Sequence, residues 1–260
     1  MPRMNIYAIA SMKGGSGKST TAFNLAAGLA ARGRRALLVD LDPQANITAW
    51  AQGPDPVQLP IEVLAGRRPL AELIADTALE RITICPASDA LVFAPEELAG
   101  TPRPDVQLVK QFETLRKSAQ PPDYVLIDTP PGFGILTRNA LAAAAAVIIP
   151  TATQFLNITG LVSFMTTLDK VRTHINPGLR IAGILLTRVD RRTRHAQEVV
   201  DLIRQHYGRE VFRTEIRENV RLAESVSFGR SIYDYAPGSH GAEDYRALTA
   251  EIMRKEKQRR

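Results

Sequence analysis

The sequence predicts a single α/β domain with a doubly wound, mostly parallel sheet and helices on both of its faces. Three observations carry that prediction. Short runs that are apolar on both faces recur along the chain, separated by stretches of helical periodicity, as a buried parallel sheet requires. The 260 residues hold one large domain or two small ones, and no internal repeat or low-complexity linker divides them. Finally, the polar residues with chemical potential gather at the carboxyl ends of the apolar runs, where open α/β sheets bind ligands.

The elements follow in order. NIYAIAS (Asn5 to Ser11) reads as a buried strand, and the glycine-rich stretch MKGGSGKSTT (Met12 to Thr21) follows it. TTAFNLAAGLAARG (Thr20 to Gly33) sets Ala22, Leu25, Ala26, Leu29 and Ala30 on one helical face, with Gly33 as the stop. Further strands are expected at RALLVD (Arg35 to Asp40), ITICPA (Ile82 to Ala87), YVLIDTPP (Tyr124 to Pro131), AAVIIPT (Ala145 to Thr151) and IAGILLTRVD (Ile181 to Asp190). EVFRTEI (Glu210 to Ile216) is the candidate seventh. Residues 1–253 read as the domain and 254–260 as a charged tail; MRKEKQRR (Met253 to Arg260) is expected to fray.

Composition narrows the function classes. Apolar residues make up 45% of the chain, enough for a sizeable core. The one cysteine, Cys85, excludes a disulfide framework and a cysteine-ligated cluster within one chain, and is expected to be a small buried apolar residue. The longest apolar run, ALAAAAAVII (Ala140 to Ile149), is too short and too rich in alanine to span a bilayer. Lys13 stands where a secretory signal needs an apolar region, so a soluble, cytoplasmic protein is expected. Net charge is +6, but residues 1–179 hold 16 Lys+Arg against 15 Asp+Glu, while residues 180–260 hold 17 against 12. Nearly all the excess lies in the last third, which suggests an anionic partner there, nucleic acid or an acidic membrane.

The glycine-rich stretch fits the second half of a phosphate loop, G-x-x-x-x-G-K-[ST], through Gly17, Lys18 and Ser19. Backbone N–H groups of such a loop close on phosphates, its lysine reaches the outer phosphates, and its hydroxyl binds Mg²⁺. Strand before and helix after are the required setting. Met12 occupies the place of the first glycine, and a second lysine, Lys13, precedes the loop. Asp128 ends an apolar run, as an acid of the Mg²⁺ shell does. Asp40 and Asp42 end another run one residue apart. If the chain is still extended there, they point opposite ways and only one faces the phosphates. An acid near the outer phosphate orients or deprotonates an attacking water.

KGGSGKST, LLVDLDPQANIT, VLIDTPPGFGILTRNAL and NVRLAESVSFGRSI together resemble the ParA/Soj branch of the MinD/ParA ATPases, in order and over roughly residues 4–253. The resemblance implies a P-loop fold, ATP and Mg²⁺ as ligands, and a loop of deviant form, K-G-G-x-G-K-[ST], that does without the early glycine. In it Lys18, with Gly14, Gly15, Ser16, Gly17 and Thr20, holds the phosphates of its own chain, and Ser19 with Asp128 holds the metal. Lys13 is the signature lysine, reaching the partner's nucleotide in an ATP-sandwich homodimer. Gly14 allows the two loops to approach. Of the two strand-end acids, the resemblance selects Asp42 for water activation. IRENVRL matches a segment that packs on adenine: Asn219 is kept, Arg217 replaces a proline and Glu218 an arginine. Arg217 contributes its backbone alone or stacks on the base.

The same resemblance implies non-specific binding of double-stranded DNA by the ATP dimer. Arg192 matches the family's arginine, with Arg191, Arg194 and Arg221 as neighbours, and Lys255, Lys257, Arg259 and Arg260 in the tail as substitutes if Glu218 weakens the patch. A ParB-type or other adaptor is expected to stimulate hydrolysis and release, at a nucleoid-associated cytoplasmic location. A MinD-type membrane ATPase is the alternative, but the tail lacks the bulky apolar face it needs. With the loop already at residue 13, an N-terminal helix-turn-helix domain is not expected.

Overall fold

The computed structural model describes residues 4–52, 60–153 and 158–259. Seven strands form one sheet in the order β3-β4-β2-β5-β1-β6-β7. They are β1 (Asn5–Ile9), β2 (Ala36–Asp40), β3 (Ala75–Asp76), β4 (Ile82–Cys85), β5 (Tyr124–Asp128), β6 (Ala146–Ala152) and β7 (Arg180–Thr187). Every pairing is parallel except β3 with β4. The α-helices are α1 (Lys18–Ala30), α2 (Asn46–Gln52), α3 (Pro60–Leu64), α4 (Ala94–Leu98), α5 (Gln107–Arg116), α6 (Ile135–Ala143), α7 (Ile158–His174), α8 (Arg194–Tyr207), α9 (Val220–Ser227), α10 (Ile232–Tyr235) and α11 (His240–Lys257). Two apolar layers, one on each side of the sheet, form the core. This is the doubly wound architecture that the sequence predicts.

α1 departs from a simple amphipathic helix. Besides Ala22, Leu25, Ala26 and Leu29, it buries Thr21, Phe23, Asn24, Ala27 and Gly28. Its outer side is covered by α11, so both sides of α1 lie in protein. Asn24 donates to the Thr20 carbonyl and accepts from the Ile232 amide, which satisfies its buried amide.

Two expectations are corrected. Glu210 to Ile216 is not a strand: it bridges β7 only singly, at Ile184 with Val211, and a second single bridge, Val189 with Arg217, lies just beyond both segments. Phe212 and Ile216 donate to the Ile184 and Leu186 carbonyls. Between them the Glu251 carboxylate takes the backbone N–H groups of Arg213 and Thr214 at 3.0 and 2.9 Å. A carboxylate that captures these donors interrupts the ladder. The seventh strand is the two-residue β3 instead.

The tail does not fray where expected. α11 continues to Lys257, and Arg260 lies outside the described residues. The Glu256 carboxylate accepts from the Tyr7 hydroxyl at 2.5 Å and the Tyr124 hydroxyl at 2.6 Å. Lys255 donates to the Ala182 carbonyl and lies 4.3 Å over the Phe212 ring.

Burial, and then the Glu256 carboxylate, hold the Tyr7 and Tyr124 hydroxyls protonated above their ordinary range. Groups that bind their proton more tightly when folded stabilise below the unfolded pKa and lose that contribution as pH rises. Stability is therefore expected to fall as pH climbs past about 10, where unfolded tyrosine ionises, read by urea unfolding at successive pH values. Glu256→Ala, which strands both hydroxyls, is expected to lower the unfolding free energy at pH 7 by about 2 kcal/mol.

Candidate active site

β1 ends at Ile9, and the chain turns into a loop pinned on three sides. The Thr129 hydroxyl donates to the Ile9 carbonyl (3.0 Å), and the Gly132 amide to the Ser11 carbonyl (3.2 Å). The Thr187 hydroxyl donates to the Ser16 carbonyl (2.8 Å), and the Ser11 and Ser16 hydroxyls pair at 2.7 Å. Gly15 and Gly17 have φ of 71° and 87°, where a side chain would be strained. Gly17 opens α1 without a side-chain cap. The first N–H groups of the helix thus point unpaired at whatever lies before them, an arrangement that suits an anion.

What lies before them is a cavity of about 650 Å³. Gly14, Gly15, Gly17, Lys18, Ser19, Thr20 and Asp42 line one end; Ile216, Arg217, Glu218, Asn219 and Val220 line the other. The structure therefore brings together most of the residues the sequence singles out. Lys18 is buried, its Nζ 3.4 Å from the Lys13 carbonyl. Burial lowers its pKa, opposed by the charges of Asp128 and Asp42.

The two strand-end acids separate cleanly. Asp40 is fully buried; its carboxylate accepts from the Asp42 amide, the Thr48 amide and the Thr48 hydroxyl. Burial pushes it up to about 6, against those hydrogen bonds. It is consumed in fixing α2. Asp42 faces the cavity and holds only the Gln44 amide. Of the two acids, Asp42 is the one that lines the cavity.

Asp128 is also fully buried, and neither carboxylate oxygen has a hydrogen-bond partner of proper geometry. Burial, then Asp40, raises its pKa well above the carboxylate range, while the Ser19 hydroxyl and Lys18 act in the opposite sense. A dry, unsatisfied acid beside the loop hydroxyl fits the shell of a Mg²⁺ held jointly by protein and phosphates.

Lys13 and Ser16 are placed differently. Lys13 is exposed and borders not the large cavity but a neighbouring apolar one of about 340 Å³, shared with Met12, Ile149, Leu161 and Phe164. Met12, standing where other phosphate loops have glycine, packs on the core. Ser16 borders the same smaller cavity, its hydroxyl turned to Ser11. Gly14 has open space where a Cβ would project.

At the far end, Asn219 caps α9 by accepting from the Arg221 amide. The Arg217 guanidinium does not stack over the cavity; Asp244 (2.6 Å), Glu243 and His240 hold it. Trp50, Thr187 and Arg188 are among the cavity residues that sequence reasoning missed. Trp50 stands edge-on to Phe23 at 5.8 Å. Thr187 anchors the loop, and Arg188 lines both cavities with φ of 52°. Being the one tryptophan in the chain was the available signal for Trp50.

The structure puts Arg191, Arg192, Arg194 and Arg221 on the surface, each paired within the chain. Among the described residues no helix is long and apolar enough to cross a membrane.

A family model described as AAA domain matches residues 4–181. Over 246 residues the chain is 44% identical to the chromosome-partitioning ATPase Soj of Thermus thermophilus, covering 95% of this chain and 94% of that protein. It is 38% identical to the sporulation initiation inhibitor protein Soj of Bacillus subtilis, with 95% and 97% covered. The structure of cobyrinic acid a,c-diamide synthase from Mycobacterium smegmatis, with bound ADP and magnesium, matches at a TM-score of 0.85 and 32% identity, covering 99% and 97%.

The contrast between the two acids is testable. Asp40→Ala is expected to cost about 3 kcal/mol of stability, because it orphans two amides and a hydroxyl in a dry site. Asp42→Ala is expected to stay within about 1 kcal/mol of wild type, its acceptor role being one turn amide. Chemical denaturation of the two variants in parallel reads the difference.

Proposed function

The chain belongs to the AAA-domain family and, within it, to the ParA/Soj partition ATPases, and from that premise we propose a DNA-bound ATPase that positions its cargo by cycles of ATP-dependent dimerisation and release. The observation that carries this reading is the division of the loop. Lys18 faces the nucleotide cavity of its own chain, while Lys13 stands outside it on exposed surface beside the open approach to Gly14.

ATP enters with its phosphates on the Gly14–Thr20 loop and its base toward Asn219 and Val220. Lys18 draws charge from the transferring phosphoryl group. Ser19 and Asp128 would hold Mg²⁺, which would supply charge neutralisation for the phosphates. Asp42 takes a proton from the attacking water as the new P–O bond forms and the bond to the ADP oxygen breaks. Lys13 of each chain reaches the nucleotide of the other, as an arginine finger does in trans, so turnover requires the dimer. A cation held beside Asp128 would supply the charge partner that its buried carboxyl lacks within the protein.

The excess of positive charge after residue 179 supports duplex DNA as the second partner, bound through phosphates and without sequence preference. Arg191, Arg192, Arg194 and Arg221 mark that face. α11 turns Tyr245, Leu248 and Ile252 into the core, and this absence of an apolar outer face supports DNA over a lipid surface. An adaptor protein stimulates hydrolysis and returns the protein to a free monomer.

Lys18→Ala is expected to abolish binding of a labelled ATP analogue. Lys13→Ala is expected to keep monomer binding within about threefold while losing ATP-dependent dimerisation and turnover, a difference well under 1 kcal/mol in affinity. Equal loss of nucleotide binding in both would overturn the trans assignment. Asp42→Ala is expected to bind ATP and persist as a dimer on size-exclusion chromatography, because the phosphate cradle is intact and only water activation is lost. Rapid turnover by this variant would remove Asp42 from the mechanism.

A further inference from the structure

Arg191, Arg192, Arg194 and Arg221, the arginines that the sequence places at the centre of the DNA face, are each met by an acid of their own chain. Asp190 holds Arg192 in a two-pronged pair, both contacts 2.9 Å. Glu198 meets Arg194 at 3.1 Å, Glu224 meets Arg221 at 2.8 Å, and Glu215 meets Arg191 at 3.0 Å. Glu218, standing where the resemblance expects an arginine, adds its own negative field at Arg192. These exposed pairs are weak individually, but their acids stay in place when DNA approaches and reduce the local positive potential.

Beside them is an open groove of about 580 Å³ between α11 and the segment Arg213 to Arg217. Ala247 and Ala250, both exposed and three residues apart on α11, form its floor. Residues three apart share a helix face, and the absence of long side chains there keeps the groove open. Arg191, Arg213 and Arg254 stand around it. The side chains of Arg213 and Arg254 are exposed, and no acid among the described residues lies within ion-pair distance of either.

The groove also contains acids, but each is turned inward and used. Glu251 is 4% exposed and accepts from the Arg213 and Thr214 amides and the Thr214 hydroxyl. Glu215 takes Arg204 at 2.9 Å as well as Arg191. Asp244 takes the Arg217 amide and guanidinium. Negative charge is buried beneath the groove, and free guanidinium charge is left above it.

We propose that this groove binds the phosphodiester backbone of duplex DNA, with Arg213 and Arg254 as its anchoring contacts and Arg191 at its edge. The proposal rests on the DNA-binding reading above and deepens it by naming the site. A guanidinium presents paired donors in a plane that fits phosphate oxygens. With one arginine on the segment and one on the helix, the strand is gripped from two sides. Nothing in the lining reads base edges, which accords with sequence-independent binding. Arg217 belongs both to this groove and to the nucleotide cavity, so the two ligands occupy opposite sides of one wall.

The test is duplex binding by the full chain with a non-hydrolysable ATP analogue, measured as log affinity against log salt. Arg213→Ala/Arg254→Ala is expected to lower the slope by about 1.8 if one protomer engages the DNA and about 3.6 if both do, at about 0.9 per phosphate. Arg213→Lys/Arg254→Lys is expected to recover at least half of that slope, and Arg192→Ala to change it by less than about 1. ATPase activity without DNA and the far-ultraviolet circular dichroism are expected to match wild type, since neither guanidinium has a partner to lose. A wild-type slope in the double alanine variant overturns the groove assignment while leaving DNA binding itself in place. Wild-type protein that binds no duplex overturns both. Polyglutamate that displaces wild type from DNA at equal charge concentration, but not the double variant, reassigns the groove to an acidic polypeptide and overturns the proposal.

Discussion

Three aspartates and one lysine are buried together at the carboxyl edge of this sheet, and most of the surrounding structure depends on that concentration of charge. Asp40 and Asp128 are fully buried, Lys18 is 6% exposed and Asp42 is 7% exposed. They meet because β2 and β5 are neighbours in register: Asp40 lies opposite Asp128, and the Leu41 amide donates to the Asp128 carbonyl. Burying ions is costly unless each is hydrogen-bonded or paired. Asp40 is satisfied by Thr48 and the Asp42 amide, which orders the turn into α2. Thr48 in turn accepts from the Ala87 amide at 2.7 Å, tying that turn to the end of β4. Asp128 is not satisfied from within the protein. The unmet hydrogen-bonding demand is thus concentrated on one carboxyl group, next to the hydroxyl and lysine of the phosphate loop. A polyanion carrying a divalent cation meets both needs of such a site at once.

The rest of the fold holds this edge rigid from behind. α1 is packed between the sheet and α11, and Thr21 and Tyr245 bring their hydroxyls within 3.2 Å of each other. At the opposite edge Glu256 joins α11 to the starts of β1 and β5 through Tyr7 and Tyr124. The helix that covers α1 is therefore fastened to the same two strands whose far ends carry the phosphate loop and Asp128. Close approaches follow the same plan. Gly183 lies where any Cβ would meet the Phe212 ring at 2.6 Å, so the chain after α8 seats directly on β7.

The fold and the phosphate end of the site were legible because their signals are local. Apolar runs, a glycine-rich turn, a lysine and a terminal aspartate are each contiguous, and backbone geometry places them without help from distant residues. The failures all involve partners far away in sequence. EVFRTEI has the β-branched and aromatic residues of a strand, yet Glu251, nearly forty residues later, takes the amides that a ladder needs. β3 has two residues, too few to show a period. The charged tail reads as frayed because Tyr7 and Tyr124, which retain it, lie at the other end of the chain. Arg217 found three partners on α11 that the sequence did not advertise. Trp50 and Arg188 entered the cavity through tertiary packing alone.

The wall formed by Ile216 to Asn219 is where these separate arrangements converge. Its backbone is fixed to the chain just after β7 by the Val189 amide to the Ile216 carbonyl and by the Glu218 amide to the Val189 carbonyl, both 3.1 Å. Its side chains are fixed to α11 through Arg217 and Asp244. One surface of the wall lines the nucleotide cavity, and the other lines the arginine groove. A nucleotide pressing on Asn219 and Val220, as proposed above, would act on a segment attached to the end of β7, to α9 and to α11, and β7 and α11 also carry or flank Arg191, Arg213 and Arg254. Small displacements in a packed core are transmitted rather than absorbed, because its density leaves little room for independent adjustment. If nucleotide and DNA bind as proposed, this segment offers a short mechanical route between them, one that does not require rearrangement of the sheet.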